Sequence, residues 1–472
     1  MSSNFAAMKK GATIDSLEIT GISSEGKGVG RVDGKVVFVK ETVPGDIVKA
    51  RVVGKKKKFL EAYAEEILSR SSERTAPFCE HFGLCGGCKW QHMEYDAQLK
   101  YKQGHVEENL RKLSGLKLPE INPILGSSKT SFYRNKLEFT FSNFRWLTRE
   151  EINSDEEYVR TGLGFHIPKQ YNKIINVNKC HLQADPSNEI RLKVKDFADK
   201  HDVSFYDVKN QEGFLRNLVI RTASTGDVMV ILQVHYRDQE MLDLVMNFIQ
   251  KEFPAITSLM FVVNEKGNDS FGDLEVELFA GKDHIMEQMD DLKFKIGPKS
   301  FYQTNSEQAH ELYKVAADFA GLKGEELVYD LYTGTGTIAN FVARSAKKVI
   351  GIEYVEEAIA DAKVNSELNG IDNTDFYAGD MKDLLGNEFI NEHGKPDVII
   401  TDPPRAGMHP RVTQMLADLK AERMVYVSCN PATQARDLEI LGQVYEVKKI
   451  QPVDMFPQTQ HVENVILLEL KK

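Results

Sequence analysis

The chain has 472 residues, 42% apolar and 28% charged, with a formal net charge of −10. That length accommodates about three domains at ~150 residues each, and the composition is that of a globular protein rather than a disordered or fibrous one. No run approaches the ~20 apolar residues of a membrane span, and the acidic sum argues against a general nucleic-acid coat while leaving room for a local basic face.

Residues 1–10 read as a disordered lead without the apolar core of a secretory signal, so the cytoplasm is the expected location. From Thr13 to Arg70, runs of four to eight β-prone residues alternate with Gly-rich turns and with Pro44-Gly45-Asp46. That pattern predicts a small five-stranded barrel of the oligonucleotide-binding kind. The segment is basic within an acidic chain, and Lys55–Lys58 falls in a predicted hairpin loop. Such a run is either a solvated turn or a set of phosphate contacts. Arg70–Pro77 reads as a linker. The predicted domains are 1–72, 73–300 and 301–472.

The middle region is predicted to be α+β. Tyr95–Leu113 spaces Leu99, Val106, Leu110 and Leu113 as a helix does. Tyr133–Ser142 alternates like a half-buried strand, and Arg216–Thr222 and Val228–Val234 pair around the turn Ser224-Thr225-Gly226. Glu150–Glu157 reads as an exposed acidic loop. Cys79, Cys85 and Cys88 form C-x5-C-x2-C, and Cys180 stands alone further on. In a reducing compartment these are not disulfides. A thiolate tetrad holds either Zn²⁺ or an iron–sulfur cluster, which leaves the fifth cysteine, Cys429, for chemistry.

From about Phe301 strands and helices alternate, predicting a doubly wound α/β domain. The strand Leu327–Tyr332 runs into a glycine turn, Asp330–Gly336 (DLYTGTG), then a helix. The third glycine of a dinucleotide fingerprint is absent, so a pyrophosphate fits poorly. Glu353, at the end of the next strand, is placed to accept from ribose hydroxyls, and Asp380, after the third strand, to meet an adenine amino group. A nucleoside held without a phosphate clamp points to S-adenosylmethionine. Asp402-Pro403-Pro404-Arg405 makes a stiff loop at the fourth strand end. Met424–Val427 is a buried strand that breaks at Ser428-Cys429-Asn430-Pro431, and His461-Val462-Glu463-Asn464 leads into the apolar run Val465–Leu468. Cys429 and Glu463 are thus either a buried structural thiol and a surface acid or a nucleophile and a proton acceptor at two strand ends.

These motifs together resemble the bacterial RNA uracil-5-methyltransferases, in particular the iron–sulfur 23S ribosomal RNA branch with an N-terminal TRAM domain. The resemblance runs from about residue 13 to the end through SFYQTN (Ser300–Asn305), DLYTGTG, GIE (Gly351–Glu353), DPPRAG (Asp402–Gly407), SCNP (Ser428–Pro431) and HVE (His461–Glu463). It implies a TRAM-like β-barrel, a central α+β domain with the cysteine cluster and a Rossmann-like class I methyltransferase domain. Cys429 would be the nucleophile that adds to uracil carbon 6 and Glu463 the base that removes the carbon 5 proton. Gln303, Tyr332, Thr337, Glu353, Asp380 and Asp402 would contact S-adenosylmethionine, and Cys79, Cys85, Cys88 and Cys180 would hold a [4Fe–4S] cluster. Two positions depart from the family: Tyr332 where Phe is common and Thr337 where Asn is common. The implied partner is 23S ribosomal RNA, bound by a monomer that flips the target uridine out of its stack. Arg134 and Lys136 would hold the surrounding strand, and Phe132 and Tyr133 could stack on bases. The transfer-RNA branch usually lacks both the TRAM domain and the tetrad. A non-catalytic RNA-binding assembly factor is the reading from a different class.

Overall fold

The computed structural model describes residues 8–155 and 157–472. Residues 1–7 of the predicted lead, and Glu156 of the predicted acidic loop, lie outside the described residues. No helix among the described residues is long and apolar enough to cross a membrane.

The first unit is a sheet of six strands: β1 (Thr13–Glu18), β2 (Gly21–Ile22), β3 (Gly28–Val32), β4 (Lys35–Lys40), β5 (Ile47–Lys55) and β6 (Phe59–Ser69). Their order is β1-β5-β6-β4-β3-β2, with β4 and β6 parallel and the other pairs antiparallel. The extra strand relative to the prediction is β2, too short to register as a β-run. The sheet closes where β3 crosses β1: a Cβ at Gly30 would come within 2.8 Å of the Leu17 side chain and the Glu18 carbonyl, so only glycine permits that approach. Inside lie Ile14, Leu17, Val37, Val39, Val48 and Leu60, and Met8 packs with them rather than trailing as part of a lead.

The middle region holds α1 (Tyr95–Leu113), β7 (Lys136–Ser142), α2 (Arg149–Ile152), β8 (Gly162–Ile167), β9 (Gln170–Asn176), α3 (Ser187–Lys200), β10 (Leu215–Thr222), β11 (Val228–Val234), α4 (Gln239–Glu252), β12 (Ser258–Val263) and β13 (Val276–Gly281). The hairpin β14 (Ile285–Met289) and β15 (Leu292–Ile296) follows. A seven-stranded sheet, β13-β12-β11-β10-β7-β8-β9, carries α3 and α4 on one face. The short α2 occupies the start of the predicted acidic loop, where Arg145 binds Glu151 (2.7 Å).

The last region contains α5 (Ser306–Ala320), β16 (Leu327–Leu331), α6 (Thr337–Ala343), β17 (Lys348–Glu353), α7 (Glu356–Leu368), β18 (Thr374–Ala378), α8 (Met381–Leu384), α9 (Asn387–His393), β19 (Val398–Thr401), α10 (Pro410–Leu419), β20 (Arg423–Ser428), α11 (Pro431–Leu441), β21 (Tyr445–Val453) and β22 (Glu463–Leu470). The sheet order is β18-β17-β16-β19-β20-β22-β21, with β22 antiparallel between β20 and β21. The chain winds outward from β16 through β17 to β18, then returns to β19 on its other side. That reversal opens a crevice at the strands' carboxyl ends, where doubly wound sheets bind ligands. The expected Rossmann-like class I fold, preceded by a TRAM-like barrel, is the observed one.

Candidate active site

Register alone assembles the site. Antiparallel pairing sets Val427 opposite Val465 and Ser428 opposite Asn464. The next pair out is therefore Cys429 against Glu463, on adjacent strands at the same end. On the other side of β20, Thr401 pairs with Tyr426 and with Leu331, so Asp402 and Tyr332 leave the sheet beside them. Leu331 in turn pairs with Ile352, which brings Glu353 into line. Five strand ends deliver five side chains to one rim.

Local sequence makes each end turn outward. Pro431 is the first residue of α11, and the Asn430 carboxamide caps that helix by accepting from Ala432 N–H (3.2 Å). This stops β20 at Ser428 and exposes Cys429. Asn430 Nδ2 and Thr433 Oγ1 both donate to the Arg405 carbonyl (3.1 and 3.4 Å), fastening the Asp402–Arg405 loop beside the cysteine. The glycine turn needs positive φ at Gly334 and Gly336. A Cβ at Gly336 would also stand 3.0 Å from Ala362 and 3.1 Å from Phe376, so this glycine seats α6 against its neighbours. Tyr332 adopts φ +63° without being glycine, a rare conformation for an aromatic residue that turns its ring into the crevice.

The crevice is a cleft of about 1140 Å³ lined by Gln303, Tyr332, Glu353, Asp402, Cys429 and Glu463, all anticipated from sequence. Thr337 and Asp380 stand outside its lining. Thr337 accepts from the Tyr313 hydroxyl (3.5 Å). Asp380 caps α8 through Lys382 N–H (3.1 Å) and pairs with the Lys382 ammonium (2.8 Å). Phe301, Phe456 and Arg405 also line the cleft. Phe456 was not anticipated; the only signal was its place in a Pro-bearing loop just before His461–Glu463. Glu353 is anchored by backbone, with Oε2 accepting from Gly334 N–H (3.2 Å) and Oε1 from Tyr354 (2.8 Å) and Val355 (3.1 Å). Oε2 keeps a lone pair for a hydroxyl.

The electrostatics are those of crowded acids. Burial, with Asp402 close by, holds Glu463 well above the usual carboxylate range. Asp402 is pushed up to about 7 by burial, and Asp330, beneath the glycine turn, also to about 7 by burial despite a hydrogen bond from Thr333 (2.5 Å). Burial and the charges of Glu463 and Asp402 drive the Cys429 thiol up to about 12, opposed by Arg405. Burial and the crowding of acids in the cleft therefore favour neutral acids and a thiol.

Residues 9–64 match the TRAM domain, and residues 275–471 match the family described as tRNA (Uracil-5-)-methyltransferase. An uncharacterized RNA methyltransferase of Bacteroides thetaiotaomicron is 58% identical over 454 residues, covering 95% of this chain and all of the relative. A second from Porphyromonas gingivalis is 54% identical over 96% of this chain and 99% of its own. The chain belongs to the RNA uracil-5-methyltransferase family. A solved structure of the tRNA (uracil-54, C5)-methyltransferase of Pyrococcus abyssi, in complex with S-adenosyl-L-homocysteine, superposes with a TM-score of 0.75 at 30% identity. It spans 96% of this chain and 99% of that one. An architecture of this extent therefore occurs in an enzyme named for tRNA, and does not by itself separate the two RNA classes.

In this methyltransferase the remaining four cysteines, Cys79, Cys85, Cys88 and Cys180, border a second cavity of about 430 Å³. Two chain segments supply them, tied by a hydrogen bond from Asn178 N–H to His81 Nε2 (2.8 Å). Gly87 N–H points at Cys85 Sγ (3.5 Å). Burial drives Cys85 up to about 11 and Cys88 up to about 12, and the neighbouring thiols add to it. Among the described residues, no three His, Cys, Asp or Glu side chains converge closely enough to hold one metal ion. Tyr133 is core, 7% exposed, with its hydroxyl donating to the Pro457 carbonyl (2.9 Å). Arg134 lies over the Phe456 ring (5.8 Å), and Lys136 is half-buried in the central sheet. Lys56–Lys58 form the tip of the β5–β6 hairpin, exposed to solvent.

Proposed function

We propose that this chain methylates carbon 5 of uracil in 23S ribosomal RNA by a covalent route through Cys429 and Glu463. The observation that supports it most is the β20–β22 register, which sets a thiol and a buried carboxylate across from each other on the cleft that also carries Gln303, Glu353 and Asp402. S-adenosylmethionine would supply the methyl group and, as a sulfonium, a positive charge beside the cleft's acids. Cys429 enters as thiolate, its proton lost to water through the open cleft. Its sulfur bonds carbon 6 and pushes an electron pair to carbon 5, which takes the methyl group. Glu463, as carboxylate, removes the carbon 5 proton. The electron pair restores the 5,6 double bond and expels the thiolate. Burial that raises the proton affinity of Glu463 makes it the stronger base once ionised. Gln303, Tyr332, Glu353 and Asp402 hold the nucleoside from the cleft, with Thr337 and Asp380 as further contacts.

The test is release of tritium from RNA labelled at uracil carbon 5, with and without S-adenosylmethionine. Cofactor-dependent release from 23S RNA is the expected result. Methyl transfer without release would move the chemistry to another atom, and neither would leave a binding module. A second reading, transfer RNA as substrate, is favoured by the full-length likeness to the Pyrococcus abyssi enzyme. Release from transfer RNA alone would make it the correct one.

We infer that the four-cysteine cavity holds a [4Fe–4S] cluster rather than zinc. Ligands of one Zn²⁺ crowd at ~2.3 Å around a single centre, whereas a cluster interposes iron and sulfide between thiolates standing further apart. The cluster would fasten residues 79–88 to Cys180 and organise the RNA-binding surface, without electron transfer. Anaerobically purified protein should contain iron and acid-labile sulfide, both lost in Cys180→Ala. Zinc in their place would reassign the site. A methylation rate altered by reduction at constant cluster content would refute a purely structural role. The protein is proposed to act as a cytoplasmic monomer.

A further inference from the structure

Phe78, His181 and Phe132 form a row of three rings, with Phe78 5.2 Å and Phe132 5.7 Å from His181, centroid to centroid. Packing does not explain the outer two: Phe78 is 44% and Phe132 40% exposed. Phe132 also sits at φ +55°, a region that bulky side chains rarely occupy. The strain is imposed by the backbone on either side, where Phe132 N–H donates to the His181 carbonyl (2.7 Å) and Arg134 N–H to the Leu182 carbonyl (2.8 Å). The chain thus holds an aromatic ring outward at an unfavourable φ, and such outliers gather at binding sites.

The surroundings say what would cover the row. His181 borders the cysteine cavity together with Arg134 and the exposed Lys179. Arg134 reaches from there to Phe456, which lines the catalytic cleft. A continuous path runs from the reacting thiol past Phe456 and Arg134 to the rings, with cations beside it and flat apolar faces at its end. Alternating positive charge and exposed rings is what a single-stranded nucleic acid requires, the cations for phosphates and the rings for bases.

We propose that Phe132 and Phe78, braced by His181, are a stacking platform for an unpaired base of the RNA strand whose uridine enters the cleft. The proposal rests on the RNA reading above and adds to it a place and a mode of contact. Stacking holds any base by its π-face, so the platform contributes affinity and strand direction rather than sequence choice.

The test is equilibrium binding of a short fluorescent single-stranded oligoribonucleotide to the full-length protein saturated with S-adenosylhomocysteine, over a range of salt. Phe132→Ala should weaken binding roughly tenfold, the scale of one lost base stack, with the salt dependence of affinity unchanged. Arg134→Ala should instead flatten that dependence by about one counterion. Phe132→Tyr should restore affinity to within about twofold, since it keeps the π-face. Unchanged affinity in Phe132→Ala would overturn the platform. So would a loss that Tyr does not rescue, or one that comes with lost S-adenosylhomocysteine binding. The readout needs no turnover: ring-dependent binding without methyl transfer would sink the proposed activity alone, and normal tritium release with an indifferent Phe132 would sink the platform alone.

Discussion

Two carboxylates of the cleft, Asp402 and Glu463, and Asp330 beneath the glycine turn hold protons more tightly than solvent-exposed acids do, and this has consequences for stability as well as chemistry. Asp402 is held near 7, above the ~3.9 of an unfolded Asp. Between those values the folded chain binds a proton that the unfolded chain has released. The contribution of this site is therefore fully present at low pH and is lost as pH rises through 7. Asp402→Asn removes the ionisable group, and at pH 8 the ligand-free variant should melt ~2–4 °C above the parent, the gap closing toward pH 5, while methylation is lost. Calorimetry at the two pH values decides it, and an equal gap at both would assign the effect to packing. Glu463→Gln should complete methyl transfer yet fail to release the product. A covalent protein–RNA adduct, carried on Cys429 and stable on a denaturing gel, is the expected outcome; its absence, with multiple turnovers, would reassign the base.

Among the elements, the segment between β21 and β22 matters most, because it ends at Glu463. It is clamped by α1, distant in sequence but packed against it. Lys102 and Asp454, both 0% exposed, form an ion pair (2.5 Å), and Lys102 also donates to the Phe456 carbonyl (3.0 Å). Tyr95 donates to Asp454 (2.9 Å), and Gln98 exchanges hydrogen bonds with Gln458 (2.9 and 3.0 Å). Lys89 and Trp90 N–H groups, just past Cys88, donate to the Gln458 carbonyl (2.9 and 3.0 Å). One loop thus touches the cysteine segment, α1 and the cleft. Removing one member of a buried pair strands the other charge at a cost of ~3–5 kcal/mol, whereas replacing both with apolar residues costs far less. Lys102→Met should accordingly lower unfolding free energy in urea by about that amount, and Lys102→Met with Asp454→Leu should recover most of it. A double variant no better than the single one would show that the remaining hydrogen bonds, not the pair, hold the loop. The α1 bounds were legible from apolar spacing, but its partner was not. Val106 and Leu110 face the C-terminal sheet, in one cluster with Tyr426 and Ile466, because a helix's periodicity names its buried face without naming what buries it.

At the scale of the molecule, the barrel keeps its own core, while the central sheet shares one with the methyltransferase sheet through Met229, Ile231, Met260, Phe294 and Val427. The barrel is joined to the rest by small contacts, among them Arg74 with Asp46 (2.6 Å) and Trp90 Nε1 with the Gly26 carbonyl (3.1 Å). Deleting residues 1–70 should leave a folded protein with unchanged S-adenosylhomocysteine affinity by calorimetry, and RNA affinity that is weaker and less salt-dependent, since basic residues leave with the barrel. Loss of cofactor binding would mean that the barrel is part of the common fold. The local chemistry of the chain was decided by sequence: Pro431 ends a strand wherever it packs, glycines permit the turn at 334–336, and β-branched runs bracketed by turn residues become strands. What the folded chain alone decided is which ends meet. Cys429 and Glu463 are thirty-four positions apart in sequence, and nothing in either stretch states that β22 enters the sheet antiparallel beside β20, sets them opposite and buries Glu463 beside Asp402. Tertiary structure likewise withdrew Tyr133 into the core, left Phe132 in solvent, and left Thr337 and Asp380 outside the lining of the cleft. The physical reason is one: backbone preference is a property of neighbours along the chain, whereas burial, register and the electrostatic field at a side chain are sums over neighbours in space.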